Sequence, residues 1–83
     1  MKKILMPKEG VLFQKDNSYR LDYKFQDEFV ETRLWSAKGT QQLNEYTCTN
    51  YQSVGRMVLS KKQFENYLFT DNFTNESVEI TFE

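Results

Sequence analysis

Two alternating runs, Tyr19 to Phe25 and Val30 to Trp35, constrain this chain more than anything else in it. In the first, Tyr19, Leu21, Tyr23 and Phe25 alternate with Arg20, Asp22 and Lys24. In the second, Val30, Thr32 and Leu34 alternate with Glu31, Arg33 and Trp35. A period of two with one apolar and one charged face is the signature of a half-buried strand. One hairpin register satisfies both runs. Phe25 opposite Val30 sets Tyr23 against Thr32 and Leu21 against Leu34 on the inner face. On the outer face, Lys24 then meets Glu31, Asp22 meets Arg33, and Arg20 lies across from Trp35. Such cross-strand ion and cation–aromatic pairs each contribute about 0.2–1 kcal/mol. A slip of one residue would turn the Leu and Phe side chains into water. The register leaves Gln26 to Phe29 as a four-residue loop.

The remaining elements follow from local signals. Val11 to Gln14 reads as a short strand, and Asp16-Asn17-Ser18 as a turn whose side chains bond their own backbone. Ser36 to Thr40 reads as a loop. A Thr- and Tyr-rich strand spans Asn44 to Asn50, with Tyr46 and Cys48 on one face. Gln52 to Gly55 reads as a turn and Arg56 to Leu59 as a short buried strand. Ser60-Lys61-Lys62-Gln63 matches a capping box, and Leu59 and Phe64 fill the two hydrophobic-staple positions. The helix this starts runs over about residues 61–69 and turns Phe64, Tyr67 and Leu68 to the sheet. Lys61 and Glu65 are spaced to pair on its outer side. Thr70 to Asn75 is a polar loop, and Val78, Ile80 and Phe82 alternate in a closing strand.

Strands, one short helix before the last strand, then that strand: this order predicts an α+β domain with an antiparallel sheet. With 83 residues the chain is one domain, residues 1–83, and buries only about 60–65% of its unfolded surface. Many short strands in so few residues must curl or leave edges exposed. The expected architecture is therefore a small, strongly bent antiparallel β-sheet or SH3-like half-barrel plugged by the helix. A flat sheet with the helix across one face is the second arrangement.

Chemically the chain is sparse. It has no histidine, one cysteine (Cys48) and no glycine-rich loop. Cys48 has no histidine to activate it, so a nucleophilic role is not expected. Solvated acids at a hairpin tip lack the paired environments that acid–base catalysis needs. No enzyme activity, cofactor or metal is expected. A formal charge of −1 provides no global field toward nucleic acid or membrane. The apolar run Ile4-Leu5-Met6 ends at Pro7, too short for a secretory core, and no stretch approaches a membrane span. A cytoplasmic location is the expectation. The glycosylation-like triplets Asn72-Phe73-Thr74 and Asn75-Glu76-Ser77 then read as ordinary polar loop.

The surface left to consider is the outer face of the hairpin, whose interleaved charges read first as a structural ion-pair ladder and second as a protein-contact face. Arg20, Arg33 and Trp35, with Phe29, Asp27 and Glu28 at the loop, form the expected binding residues, because Trp and Arg are common anchors of protein interfaces. The expected role is a non-catalytic protein-binding module acting on a host or competitor protein. Abundant Lys, Asn, Phe and Tyr beside one Ala and one Pro indicate AT-rich coding. That bias points to a phage- or mobile-element-encoded inhibitor of anti-defence type. A nucleic-acid-binding β-barrel using the same face is the alternative, since cations beside an indole suit a single strand. A structural homo-oligomer or homodimer, seamed at Val78 to Phe82 or another strand edge, is the third.

Overall fold

The computed structural model describes residues 1–43 and 46–83, and for residues 39–43 and 46–49 the backbone alone. Among these residues six strands and one helix follow in order: β1 Lys2–Met6, β2 Glu9–Phe13, β3 Tyr19–Gln26, β4 Phe29–Leu43, β5 Tyr46–Ser60, α1 Lys61–Thr70 and β6 Val78–Phe82. Strands β2-β3-β4-β5 form an antiparallel meander, and β1 pairs with β6 in parallel as a separate two-stranded ribbon.

The β3–β4 hairpin adopts the expected register pair for pair, from Arg20 opposite Trp35 to Phe25 opposite Val30. Gln26 and Phe29 also pair, so the turn is two residues, Asp27-Glu28, rather than four. Both have positive φ, 54° and 70°. That geometry matches the twist of the flanking strands in a two-residue hairpin, though glycine or asparagine usually occupies it. At the other end of β3, Asp16 to Ser18 turn as expected, with Asp16 Oδ1 accepting the Ser18 N–H at 3.0 Å. This bond holds the Asp16 carboxyl below its ordinary pKa.

The expected half-barrel is not formed. The four-stranded sheet neither closes nor strongly curls, and the fold adds a parallel pair, β1–β6, to it. Strands β4 and β5 are each 15 residues long and run straight through the expected loop at Ser36 to Thr40 and the expected turn at Gln52 to Gly55. Register shifts at Leu34/Trp35 and Ala37/Gly39 absorb the irregular residues as bulges, so pairing continues. Beyond Tyr19↔Ser36, β3 no longer accompanies β4, and the two long strands go on as a two-stranded arm. The molecule measures 41 × 23 × 22 Å as a result. Strand β1 covers residues given no element from sequence, and its partner is β6, whose inward Val78, Ile80 and Phe82 follow the expected alternation. The face expected for Cys48 lies outside the described residues.

One side of the meander is covered and the other is bare. Leu21, Tyr23, Val30 and Thr32 are buried on the inner face, against Phe64 and Leu68 of α1 and Met6, Val78 and Ile80 of the ribbon. Phe82 joins the layers: its ring stacks on Phe25 at 4.4 Å and lies 6.2 Å from both Tyr23 and Phe64. Tyr23 passes over Gly10, where a Cβ would come within 3.0 Å of the tyrosine oxygen, and its hydroxyl donates to Pro7 O.

The capping box is complete: Gln63 N donates to Ser60 Oγ at 3.2 Å and Ser60 N to Gln63 Oε1 at 3.0 Å. The other end of α1 closes in a Schellman motif. Phe73 N donates to Leu68 O and Asn72 N to Phe69 O, with Asn72 at φ 64° taking the left-handed place glycine usually fills. The associated apolar contact is the Tyr67 and Phe73 rings, 6.0 Å apart. Glu65 does not pair with Lys61 as expected; its Oε2 accepts the Ile80 N–H at 2.6 Å.

Two predictions follow from the helix end. An alanine cannot sit in the left-handed region as cheaply as asparagine, so Asn72→Ala lowers unfolding free energy by about 1 kcal/mol, whereas Asn72→Gly holds or raises it. Urea denaturation should return that order. Burial, with the Asp71 carboxylate beside it, pushes the Tyr67 hydroxyl up to about 12 from its ordinary 10.0. The folded chain then keeps a proton that the unfolded chain releases. Stability from this group is intact below pH 10 and is lost as pH rises toward 12. Tyr67→Phe should flatten that decline in denaturation measured across the same range.

Candidate functional site

Alternation on β3 and β4 places Arg20, Asp22, Arg33 and Trp35 together on the uncovered outer face. The geometry is centred on the indole. Arg20 lies with its guanidinium carbon 5.8 Å from the Trp35 ring centroid, and Arg33 lies at 5.6 Å. The indole N–H donates to Asp22 Oδ2 at 3.2 Å. Arg20 donates to the same carboxylate twice, Nε to Oδ1 at 2.9 Å and Nη2 to Oδ2 at 3.3 Å. Asp22 thus fixes both the aromatic ring and one of its two cations.

The pairing differs in detail from the expected ladder. Asp22 lies across from Arg33 in the register, but its ion pair is with Arg20, two residues along the same strand. It is the one ion pair among the described residues, so the expected Lys24–Glu31 bridge is not made. The Arg20 fork reaches the carboxylate in two places, whereas Arg33 faces the indole and stands directly across from Arg56 on β5. Two cations opposed in this way repel, which leaves both available to an outside anion.

The expected site residues fall into two groups. Arg20, Arg33 and Trp35 are one cluster. Phe29, Asp27 and Glu28 lie at the hairpin tip, six residues or about 20 Å along the strands. Phe29 is exposed there (51%), and both acids stand on the turn in solvent. Between the groups is an open depression of about 360 Å³, whose outward side chains include Asp22, Lys24, Glu31, Arg33, Arg56 and Val58.

Arg56 and Val58 are the members that sequence reasoning missed. Their segment was expected to be a buried strand, yet both are exposed, with Val58 at 65%. Only Met57 and Leu59, in register with Thr32 and Val30, turn inward. The alternation of Arg56 and Val58 with Met57 and Leu59 was the signal available. Val11, also exposed, extends the face on β2, opposite Asp22.

Among the described residues no group of three or more His, Cys, Asp or Glu side chains is placed to hold a metal ion, and no helix is long and apolar enough to cross a membrane. Set against protein families, curated proteins and solved structures, the chain matches none. What the face offers chemically is a fixed indole, three guanidinium groups and a scatter of exposed apolar side chains.

Trp35 is the sole tryptophan, so its fluorescence reports on the cluster alone. Asp22→Ala removes the indole's acceptor and the Arg20 anchor. It should shift Trp35 emission to the red and cost about 1 kcal/mol of stability. Asp22→Asn keeps an acceptor oxygen and should lie between the two.

Proposed function

We propose that this chain is a non-catalytic protein-binding module that occupies another protein's surface with the outer face of its meander. The observation that carries the reading is Trp35, set on a bare sheet face between two guanidinium groups and tied to Asp22. Trp and Arg supply most interface hot spots, and an indole already held in place loses little freedom on binding. The cluster suits a partner surface with carboxylates around an apolar patch. Phe29 with Asp27 and Glu28 suits a basic rim. Their separation of about 20 Å fits within one interface of standard size, about 800 Å² on each partner. The role in keeping with a small, chemically sparse, AT-rich chain is inhibition or modulation of a host or competitor protein in the cytoplasm, as a phage or mobile element would encode.

The nucleic-acid reading is weaker on this face. Glu9, Asp22 and Glu31 interleave with Lys24, Arg20 and Arg33, which breaks up the positive track a phosphate backbone follows.

The test is capture from a low-GC bacterial lysate with tagged wild-type chain and with Trp35→Ala, each with and without nuclease. The expected result is one stoichiometric protein that withstands nuclease and moderate salt and whose recovery falls at least about tenfold with Trp35→Ala, the scale of a hot-spot loss. Recovery that depends on nucleic acid, or that Trp35→Ala leaves unchanged, overturns the proposal.

A further inference from the structure

We infer that β5 is a dimerisation edge, pairing antiparallel with β5 of a second copy of this chain to make one eight-stranded sheet. The inference stands apart from the outer-face reading, since it uses the strand's backbone edge.

Exposed edges are templates for pairing, and folded proteins blunt them with short strands, charges or covering groups. Three of the four terminal strands here carry such devices. β1 is five residues long and begins Lys2-Lys3. β2 is also five residues long and opens on Glu9. β6 has its Ile80 N–H taken by the Glu65 carboxylate from α1. β5 carries none among the described residues: it is 15 residues long, has no proline, and its one charged residue is Arg56.

The arm supplies a second, independent argument. Past Ser36 on β4 and Gln52 on β5 the sheet is only two strands wide. At its root it is held by Ala37 N to Ser18 O, by the Tyr51 hydroxyl on Asn17 O and by the Tyr51 ring 6.2 Å from Phe13. A two-stranded ribbon is marginal alone in water, and a third or fourth strand is what stabilises it. Residues Gln52 to Arg56 are exposed in an unbroken run.

A second copy meets both needs. Antiparallel pairing about a twofold axis near Ser53 or Val54 sets Arg56 opposite Asn50 or Gln52, so no like charges meet. With the axis at Val54, Cys48 to Ser60 of one copy faces Ser60 to Cys48 of the other, about a dozen backbone hydrogen bonds and within the range of a typical specific interface. Eight strands is an ordinary sheet size. The axis is perpendicular to the sheet, so both Trp35 clusters face the same way.

The test is the mass of the full chain in solution by sedimentation equilibrium, with and without Val54→Lys plus Val58→Lys. These side chains are 58% and 65% exposed, so the lysines leave the protomer fold intact, which far-UV circular dichroism checks. The expected mass is twice the 10.0 kDa of one chain, with the double variant weakening association at least about tenfold. In a Cys48→Ser background, spin labels at Ser53→Cys should lie close together. Labels at Val11→Cys should be about 36–39 Å apart, seven strand spacings across the sheet and four to six residues along it. A monomer at millimolar concentration, a dimer indifferent to the lysines, or a shorter separation at Val11 than at Ser53 overturns the proposal.

Discussion

Everything in this fold converges on the aromatic contact between Phe82, Phe25, Tyr23 and Phe64. Those four rings belong to β3, α1 and β6, so the contact ties the meander to the helix and the ribbon. Each ring removes roughly 150–250 Å² from water, and each well-placed pair adds about 0.5–1.5 kcal/mol. A chain of 83 residues has few other ways to hold a sheet, a helix and a separate ribbon together. The smaller devices follow from it. The capping box aims α1 so that Phe64 and Leu68 reach this cluster, and Glu65 on the same helix fastens β6 beside it.

Packing all of the covering elements on one side leaves the meander's other face bare. Alternation in β3 and β4 then determines what that face displays, because the residues that alternate with Leu21, Tyr23, Phe25, Val30, Thr32 and Leu34 must point out. The core and the candidate site are two readings of the same strands. A register that buries Tyr23 and Val30 also brings Trp35 to Arg20.

That relation explains why the hairpin was legible in the sequence and other parts were not. Arg20, Asp22 and Lys24 against Tyr19, Leu21, Tyr23 and Phe25 admit one register, and the sheet adopts it. Ser60 and Gln63 fixed the helix start by equally local chemistry. The length of β4 and β5 was hidden because Ser36, Gly39, Ser53 and Gly55 are turn formers in isolation. Here all four stay paired, and bulges at Lys38 and Val54 let the ladder continue. The β1–β6 pairing was hidden for a different reason: no local pattern announces a parallel partner on the far side of the sequence. Within the site, the Arg20–Trp35 contact followed from register. The Asp22–Arg20 pair did not, since a same-strand neighbour outcompeted the cross-strand one. Asp27, Glu28 and Phe29 stand apart from the cluster because each residue of an extended strand adds about 3.3 Å.

The parallel ribbon also governs when the molecule can exist. Lys2 to Met6 find their partners only at Val78 to Phe82, roughly 75 residues later. On a ribosome, β1 emerges early and waits as an unpaired strand until almost all of the remaining chain has followed it. Ile80 and Phe82 follow Tyr23, Phe25 and Phe64 in the chain, so the aromatic junction cannot close before β6 is made. Non-local closure of this kind slows folding relative to a fold built from neighbouring pairs. The meander can assemble as it appears, but its inner face is fully covered only when the ribbon joins α1 on it.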